Sequence, residues 1–484
     1  MSRSTHHRIE YGDYQTPLEL AEKICQKLKA LGVKPDAIIE PTCGLGAFLD
    51  ASARFFPSVK RIIGVEINSA YLDLLRNRQD LLENGRVEIK QGDFFNFDWE
   101  NLLNDLPGAL LVLGNFPWVT NAQLSVIGGA NLPEKTNFQH QRGLNAITGK
   151  SNFDISEWML IQVARWLQNR HGYLAMLCKT AVARKLLNHL YSQQLQLADA
   201  AIFAIDAEKY FGTAVEACLL FCKFDGVSRH YDYEVFESLE SKAGVRAGYR
   251  DGVMVRDLAA FDALHHLHGE SAIMWRSGVK HDCAEVMEFR KTEKGLVNGL
   301  GEAVDIEPDY LFPLLKGSVL ANGQVESTTR YVLMTQQFVG ESTDDIQKLA
   351  PKTWAYLEAH AKHLDSRKSR VHRNQPRFAI FGVGAYTFAP WKIAICGLYK
   401  TLQFRLVGEI EGKPAIFDDT VYFLSFADEQ QARKIYQLLL SPPATRFFSS
   451  MIFWDEKRPI KAGILNRFDW RRLQTLTLRT APSS

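Results

Sequence analysis

The sequence predicts a doubly wound α/β domain followed by a second domain of mixed α and β character. Three observations carry the prediction. Short apolar runs alternate with helical stretches between Asp36 and about Asp225, and that alternation then stops. At 484 residues, the chain is also long for a single hydrophobic core.

The strand-like runs fall at residues 37–39, 61–65, 86–89, 110–113, 173–177 and 217–221, each bounded by polar or glycine residues. The clearest helix spans 151–168, with Ile155, Trp158, Met159, Val163, Trp166 and Leu167 at helical spacing. Right-handed crossovers would gather the strands' C-terminal ends along one edge. Glu40, Glu66, Asp93 and Asn115 all fall at such ends. The segment 119–150, rich in Gly, Asn and Gln, is long for a loop in a compact domain and therefore reads as functional. Residues 1–228 form the expected first domain, 229–265 a polar connector and 266–484 the second domain. In the second, 379–381, 391–395 and 421–424 read as strands and 428–440 as a helix.

Composition sets bounds. Hydrophobic residues make up 46% and charged residues 23%, ordinary for a soluble globular protein. No apolar run approaches the roughly 18 residues of a membrane span. The N-terminal stretch lacks the apolar core of a secretory signal, so a cytoplasmic location is expected. Seven scattered cysteines (Cys25, Cys43, Cys178, Cys218, Cys222, Cys283 and Cys396) form no CxxC pair and support neither a disulfide framework nor a zinc site. His265, His266 and His268 read as a solvated helix face rather than metal ligands, and no metal is expected. Net charge is only +2, but charge is unevenly spread. Lys362, Arg367, Lys368, Arg370, Arg373 and Arg377 are opposed locally by Asp365 alone, and Lys457, Arg458, Lys461, Arg467, Arg471 and Arg472 form a second run.

Two motifs carry chemistry. In Glu40-Pro41-Thr42-Cys43-Gly44-Leu45-Gly46, the glycines let backbone approach a ligand closely, and a helix starting there turns free amides toward it. Acidic residues follow at the ends of the next two strands. Glu66 suits a ribose diol and Asp93 an adenine amino group, both of which donate hydrogen bonds. The set fits S-adenosylmethionine (AdoMet). A dinucleotide would call for a third glycine that is missing here. The second motif is Asn115-Phe116-Pro117-Trp118. The Asn115 side-chain carbonyl and the Phe116 backbone carbonyl can accept both N–H bonds of a planar amine. Pro117 stiffens the turn, and Trp118 can stack on a base, worth roughly 1–3 kcal/mol. A base inside a duplex must be flipped out to reach such a pocket.

These residues resemble the gamma class of DNA amino-methyltransferases, the TaqI-like adenine-N6 enzymes. In that class, a Tyr-Gln-Thr-Pro element precedes the glycine loop; here it is Tyr14-Gln15-Thr16-Pro17. The resemblance covers about residues 11–225. It implies a Rossmann-like AdoMet-dependent methyltransferase domain followed by a mixed α/β target-recognition domain. Tyr14, Thr16 and Pro17 would cover the methionine part of AdoMet, with Glu40, Pro41, Cys43, Gly44 and Gly46 in the glycine turn. Glu66 and Ile67 would hold the ribose side, and Asp93 and Phe94 the adenine. Asn115 would also border the cofactor, and Asn115, Phe116, Pro117 and Trp118 would grip the target base. Phe211, in the element Tyr210-Phe211-Gly212-Thr213, would stack on it.

Segments 275–281 and 384–391 also look like parts of restriction-modification methylases. The implied partner is double-stranded DNA, contacted through Arg367, Lys368, Arg370, Arg373 and Arg377, with a separate restriction endonuclease beside it in a prokaryotic cell. The family's tetrad is usually Asn-Pro-Pro-Tyr, so Phe116 and Trp118 depart from it. Tryptophan at the end also occurs in cytosine-N4 enzymes, whereas Asn115 favours adenine. RNA guanine, a protein glutamine, or a non-catalytic DNA-binding role are the competing readings.

Overall fold

The computed structural model describes residues 14–83, 85–118, 155–293 and 295–473. The chain divides into two units, residues 1–257 and 258–484.

The first unit is built on a ten-stranded sheet in the order β10-β9-β8-β6-β7-β5-β4-β1-β2-β3. Its strands are β1 (Ala37–Glu40), β2 (Arg61–Glu66), β3 (Val87–Gln91), β4 (Leu110–Asn115), β5 (His171–Lys179), β6 (Asp199–Ile205), β7 (Ala217–Asp225), β8 (Tyr233–Phe236), β9 (Val245–Arg250) and β10 (Val253–Val255). The run β3-β2-β1-β4-β5 is parallel throughout. Strand β7 lies antiparallel between β5 and β6.

β1 and the first five residues of β4 are buried, as apolar strands covered on both faces must be. Neighbouring residues of a strand point to opposite faces. Accordingly Ile39 and Val112 pack in one core cluster, and Ile38, Leu111 and Leu113 in another. The second of these faces is covered by α1 (Leu18–Ala30) and α2 (Ala47–Phe55). α1 turns Leu20, Ala21, Ile24, Cys25 and Leu28 inward at helical spacing. The first face is covered by α3 (Ile155–Trp166) and α4 (Thr180–Ser192).

One strand was not expected, and one expectation is corrected. The sixth strand, β6, reads Asp-Ala-Ala-Ile-Phe-Ala-Ile, and its alanines hide it from a pattern search built on bulky apolar runs. The expected connector at 229–265 instead contributes β8, β9 and β10 to the sheet. Tyr233, Phe236, Ala247 and Tyr249 are buried there, each within a strongly polar stretch that masks the alternation. The helix expected at 151–168 is found as α3, and residues 151–154 lie outside the described chain, as does the 119–150 segment.

The second unit holds two sheets. The larger one orders β13 (Gly295–Asn298), β12 (Glu288–Thr292), β15 (Arg330–Leu333), β14 (Leu311–Leu315) and β18 (Ile416–Phe417). The other orders β11 (Arg276–Ser277), β19 (Val421–Phe426), β16 (Trp391–Cys396) and β17 (Arg405–Val407). The strands expected at 391–395 and 421–424 are thus β16 and β19. The third, at 379–381, is not a strand; Phe381 makes a single bridge to Lys280. The helix expected at 428–440 is α5 (Glu429–Leu440), started by Asp428, whose side chain accepts from the Gln431 amide. All seven cysteines are free and buried. Among the described residues, no helix is long and apolar enough to cross a membrane.

Candidate functional site

The site is assembled where β1, β2 and β4 end. Parallel strands 4–5 Å apart release their following loops side by side, at the point where the strand order reverses between β1 and β4. After β1, Gly44 and Gly46 adopt φ of +50° and +83°. A side chain at Gly44 would come within 2.5 Å of the Gln15 Oε1 atom, which accepts from the Leu45 amide at 2.9 Å. The Glu66 carboxylate, at the end of β2, accepts from the Gly44 amide and the Asn68 amide, both at 2.8 Å. One side chain therefore fastens the turn after β1 to the turn after β2.

Glu40 closes β1 and is almost fully buried. Its Oε2 atom has no hydrogen-bond partner among the described residues. Burial pushes its carboxyl well above the usual range, the Glu66 charge adds to the shift, and the Leu49 amide opposes it. The Cys43 thiol is likewise pushed up, by burial first and then by Glu40 and Glu66. A buried carboxyl without a counter-charge is held neutral.

Asn115 closes β4. Its side-chain amide donates to the Tyr14 carbonyl at 3.0 Å and to Thr16 Oγ1 at 3.4 Å. With the nitrogen committed to the N-terminal segment, Oδ1 is left as an acceptor; it is buried and has no partner among the described residues. Thr42 donates to the Asn115 backbone carbonyl at 3.3 Å. The Trp118 backbone carbonyl accepts from Lys179 Nζ at 3.0 Å. The Trp118 ring lies 5.7 Å from Tyr14 and 5.0 Å from Phe211, and Tyr14 and Phe211 are 6.3 Å apart. Phe211 ends the short helix Ala207–Phe211, which Asp206 starts and Gly212, at φ +64°, stops. The structure thus brings Tyr14, Thr16, Asn115, Trp118 and Phe211 into one cluster, and Gly44 and Glu66 into another that Gln15 adjoins.

The remaining expected residues are placed differently. Pro17 starts α1, its carbonyl accepting from Leu20 and Ala21. Pro41 is buried, and Ile67, 41% exposed, lies bare beside Glu66. The Asp93 carboxylate closes its own turn, accepting from the Phe95 amide at 3.1 Å and Asn96 Nδ2 at 2.8 Å. The Phe94 ring faces the core. It is buried among Phe116, Trp99 and Trp166 rather than offered to a ligand. The Phe116 side chain is core as well, which leaves its backbone carbonyl as the group able to act. Gln15 and Lys179 were missed. Gln15 had a signal, its place in the Tyr-Gln-Thr-Pro element; Lys179 had none.

The residues of the basic run are placed unequally. The half-buried Arg367 guanidinium donates to the carbonyls of Leu364, His281 and Ala379 at 2.7, 3.2 and 2.7 Å, and so stitches the second unit together. Arg377 pairs with Glu358 at 2.7 Å and Asp365 at 3.2 Å. Lys368 and Arg373 are exposed, and the Arg370 side chain lies outside the described structure. In the second run, Lys461 pairs with Glu456, and Arg471 and Arg472 with Asp469.

This sheet order, with a glycine turn after β1 and an asparagine closing β4, defines the AdoMet-dependent methyltransferase class. In keeping with it, the solved DNA complex of the type IIL restriction-modification enzyme MmeI shares the fold, with a TM-score of 0.52 at 14% identity over 96% of this chain and 67% of that one. The chain is 56% identical over 472 residues to the type II methyltransferase M.NspV of Nostoc sp. (strain ATCC 29411 / PCC 7524), covering 97% of this chain and 98% of that protein. It belongs to the type II DNA methyltransferases of restriction-modification systems. A shorter stretch of 117 residues, 24% of this chain and 27% of the relative, is 29% identical to the type II methyltransferase M.CvrRI of Paramecium bursaria Chlorella virus XZ-6E. No protein-family model matches the chain.

Proposed function

We propose that the chain methylates the N6 amine of an adenine flipped out of double-stranded DNA, at a sequence read by its second unit. The observation that carries this reading is the Asn115 amide, its nitrogen anchored to Tyr14 and Thr16 and its buried oxygen left as an unpartnered acceptor. A buried acceptor without a partner costs about 1–3 kcal/mol, which a ligand N–H recovers.

The residues present fit AdoMet. Glu40 offers an unpartnered carboxyl oxygen to an ammonium group. The Glu66 carboxylate, an acceptor at the end of β2, suits ribose hydroxyls, which donate. Ile67 and Leu45 expose apolar side chains beside them, suited to the face of a purine. When bound, AdoMet supplies an electrophilic methyl group on a sulfonium.

An adenine amine is a poor nucleophile because its lone pair is delocalised into the ring. Asn115 Oδ1 and the Phe116 carbonyl, by accepting both amine hydrogens, draw that lone pair back onto nitrogen and aim it. Positioning of this kind supplies most of the acceleration, and the chain need only orient the amine and exclude water.

Purified protein incubated with DNA and AdoMet, followed by nucleoside mass spectrometry, tests the reading. N6-methyladenine is the expected product. N4-methylcytosine, the product of enzymes in which a tryptophan ending also occurs, would reassign the base; methyl groups found only in RNA or protein would overturn the reading.

Recognition by the second unit is the basis of a further expectation. Replacing Lys368 and Arg373 together by alanine should weaken DNA binding at all sequences. If each makes one phosphate contact, the slope of log affinity against log salt should fall by about 2. Arg367→Ala should instead lower the melting temperature, because three carbonyls lose their donor. Salt-titrated fluorescence anisotropy and thermal melts separate the two; an unchanged salt slope in the double variant would remove these residues from the interface. A separate endonuclease cutting the same sequence is the expected partner.

A further inference from the structure

We infer that Trp118 reads the extruded base with its edge, its indole N–H donating to a ring nitrogen on the same edge as the amine, while Phe211 supplies the stacking face. This deepens the proposed function and rests on it.

Three observations lead there. Trp118 is only 5% exposed and belongs to the core cluster on the α1 side of the sheet, where its ring meets Tyr14 and Phe211. A ring so covered has no open face to offer, whereas Phe211 is half-buried.

Second, the Trp118 Nε1 atom is buried with no acceptor among the described residues. The comparison within the same unit is Trp99, equally a core indole, which donates to the Phe94 carbonyl at 2.8 Å. Buried indole N–H groups ordinarily find such a partner. A second unpartnered indole, Trp470, lies in the other unit.

Third, Asn115 Oδ1 and Trp118 Nε1 are opposite in sense, one acceptor and one donor, three residues apart. Both side chains bear on Tyr14, Asn115 through the backbone carbonyl and Trp118 through the ring. A ligand with an amino hydrogen beside a ring nitrogen satisfies both. Adenine carries that pattern on either side of its amino-bearing carbon, through N1 and through N7. A glutamine carboxamide matches the pair of polar atoms but brings no ring for Phe211.

The test is a cycle of enzyme against substrate. Duplexes carrying adenine, 1-deazaadenine or 7-deazaadenine at the target are offered to the wild type and to Trp118→Phe, and single-turnover rates and DNA affinities are measured. The phenylalanine keeps an aromatic ring and removes the donor. On adenine, Trp118→Phe should lose about 10- to 100-fold. On the analogue lacking the nitrogen read by Trp118, the wild type should lose a similar factor and the variant little more. DNA affinity, measured without methyl transfer, should follow the same order.

Losses that simply multiply on both analogues would overturn the inference and return Trp118 to a packing role. Should Trp118→Phe melt early, benzothienylalanine at the same position exchanges N–H for sulfur at nearly constant shape and carries the same expectation. If the wild type leaves adenine DNA unmethylated, the proposed function falls and takes this inference with it. A wild type active on adenine with no coupling overturns the inference alone.

Discussion

Asn115→Ala is expected to lower the rate of methyl transfer by about 10²–10³-fold, the loss typical when one preorganised polar group is removed from a reacting centre. AdoMet affinity should fall by no more than a few-fold, because the Asn115 side chain reaches the glycine turn only indirectly, through the Tyr14–Thr16 strip. The size of the effect follows from anchoring. The acceptor oxygen is held in place by two bonds on the amide nitrogen, so no reorganisation is needed when the amine arrives. Asn115→Asp keeps an acceptor but loses both donors and sets a carboxylate oxygen against the Tyr14 carbonyl, so it should recover only part of the loss. Rapid-quench single turnovers alongside equilibrium dialysis of labelled AdoMet provide the measurement. Transfer by the alanine variant within tenfold of the wild type would sink the assignment of this residue.

The second large effect is expected at Glu40. Its folded-state carboxyl is raised well above its ordinary value by burial, with Glu66 adding to the shift. Between the unfolded and folded values, the folded protein therefore holds a proton that the unfolded chain releases. Its contribution to stability is fully present at acid pH and is lost as pH rises through that window. Glu40→Gln cannot ionise. The ligand-free variant should gain melting temperature over the wild type, with the gap widening as pH rises.

The ligand-bound state reverses the preference. An ammonium beside Glu40 favours the charged carboxylate, so AdoMet binding by the wild type should expel a proton and tighten with pH. The glutamine variant should lose both the affinity and the proton. Calorimetry in buffers of different ionisation enthalpy counts the proton, and thermal scans between pH 5 and 9 follow stability. Zero proton release, or parallel stability curves for the two proteins, would dispose of the idea.

Which parts of this structure were readable in the sequence follows from physics rather than from motif length. The strands carrying Glu40, Glu66 and Asn115 are buried on both faces, and continuous apolar runs announce such strands without ambiguity. β6 stayed hidden because alanine fills a strand between packed neighbours without the bulk that a pattern search detects. β8 and β9 stayed hidden because an added edge needs few apolar residues and theirs are interrupted by charge, and β10 because it is only three residues long.

Charge itself misled in one place. Arg367 counts as one cation in any sequence tally, yet its guanidinium is spent on three carbonyls that only the fold brings near. The identity of Trp118 was visible as an aromatic at the end of the tetrad. Its burial was not, because the residues that cover it, Tyr14 and Phe211, come from about a hundred residues to either side. Likewise Phe94 reads as a ligand neighbour by position, whereas its ring is drawn into an aromatic core assembled from α3 and the turn after β4.

One strip of backbone at the N-terminal end touches both halves of the chemistry. Gln15 caps the glycine turn, and its two flanking residues hold the asparagine. Whatever ligand seats that strip firmly on one half reduces the entropy still to be lost at the other. Donor and acceptor are then thermodynamic allies, each raising the affinity of its counterpart by the same factor.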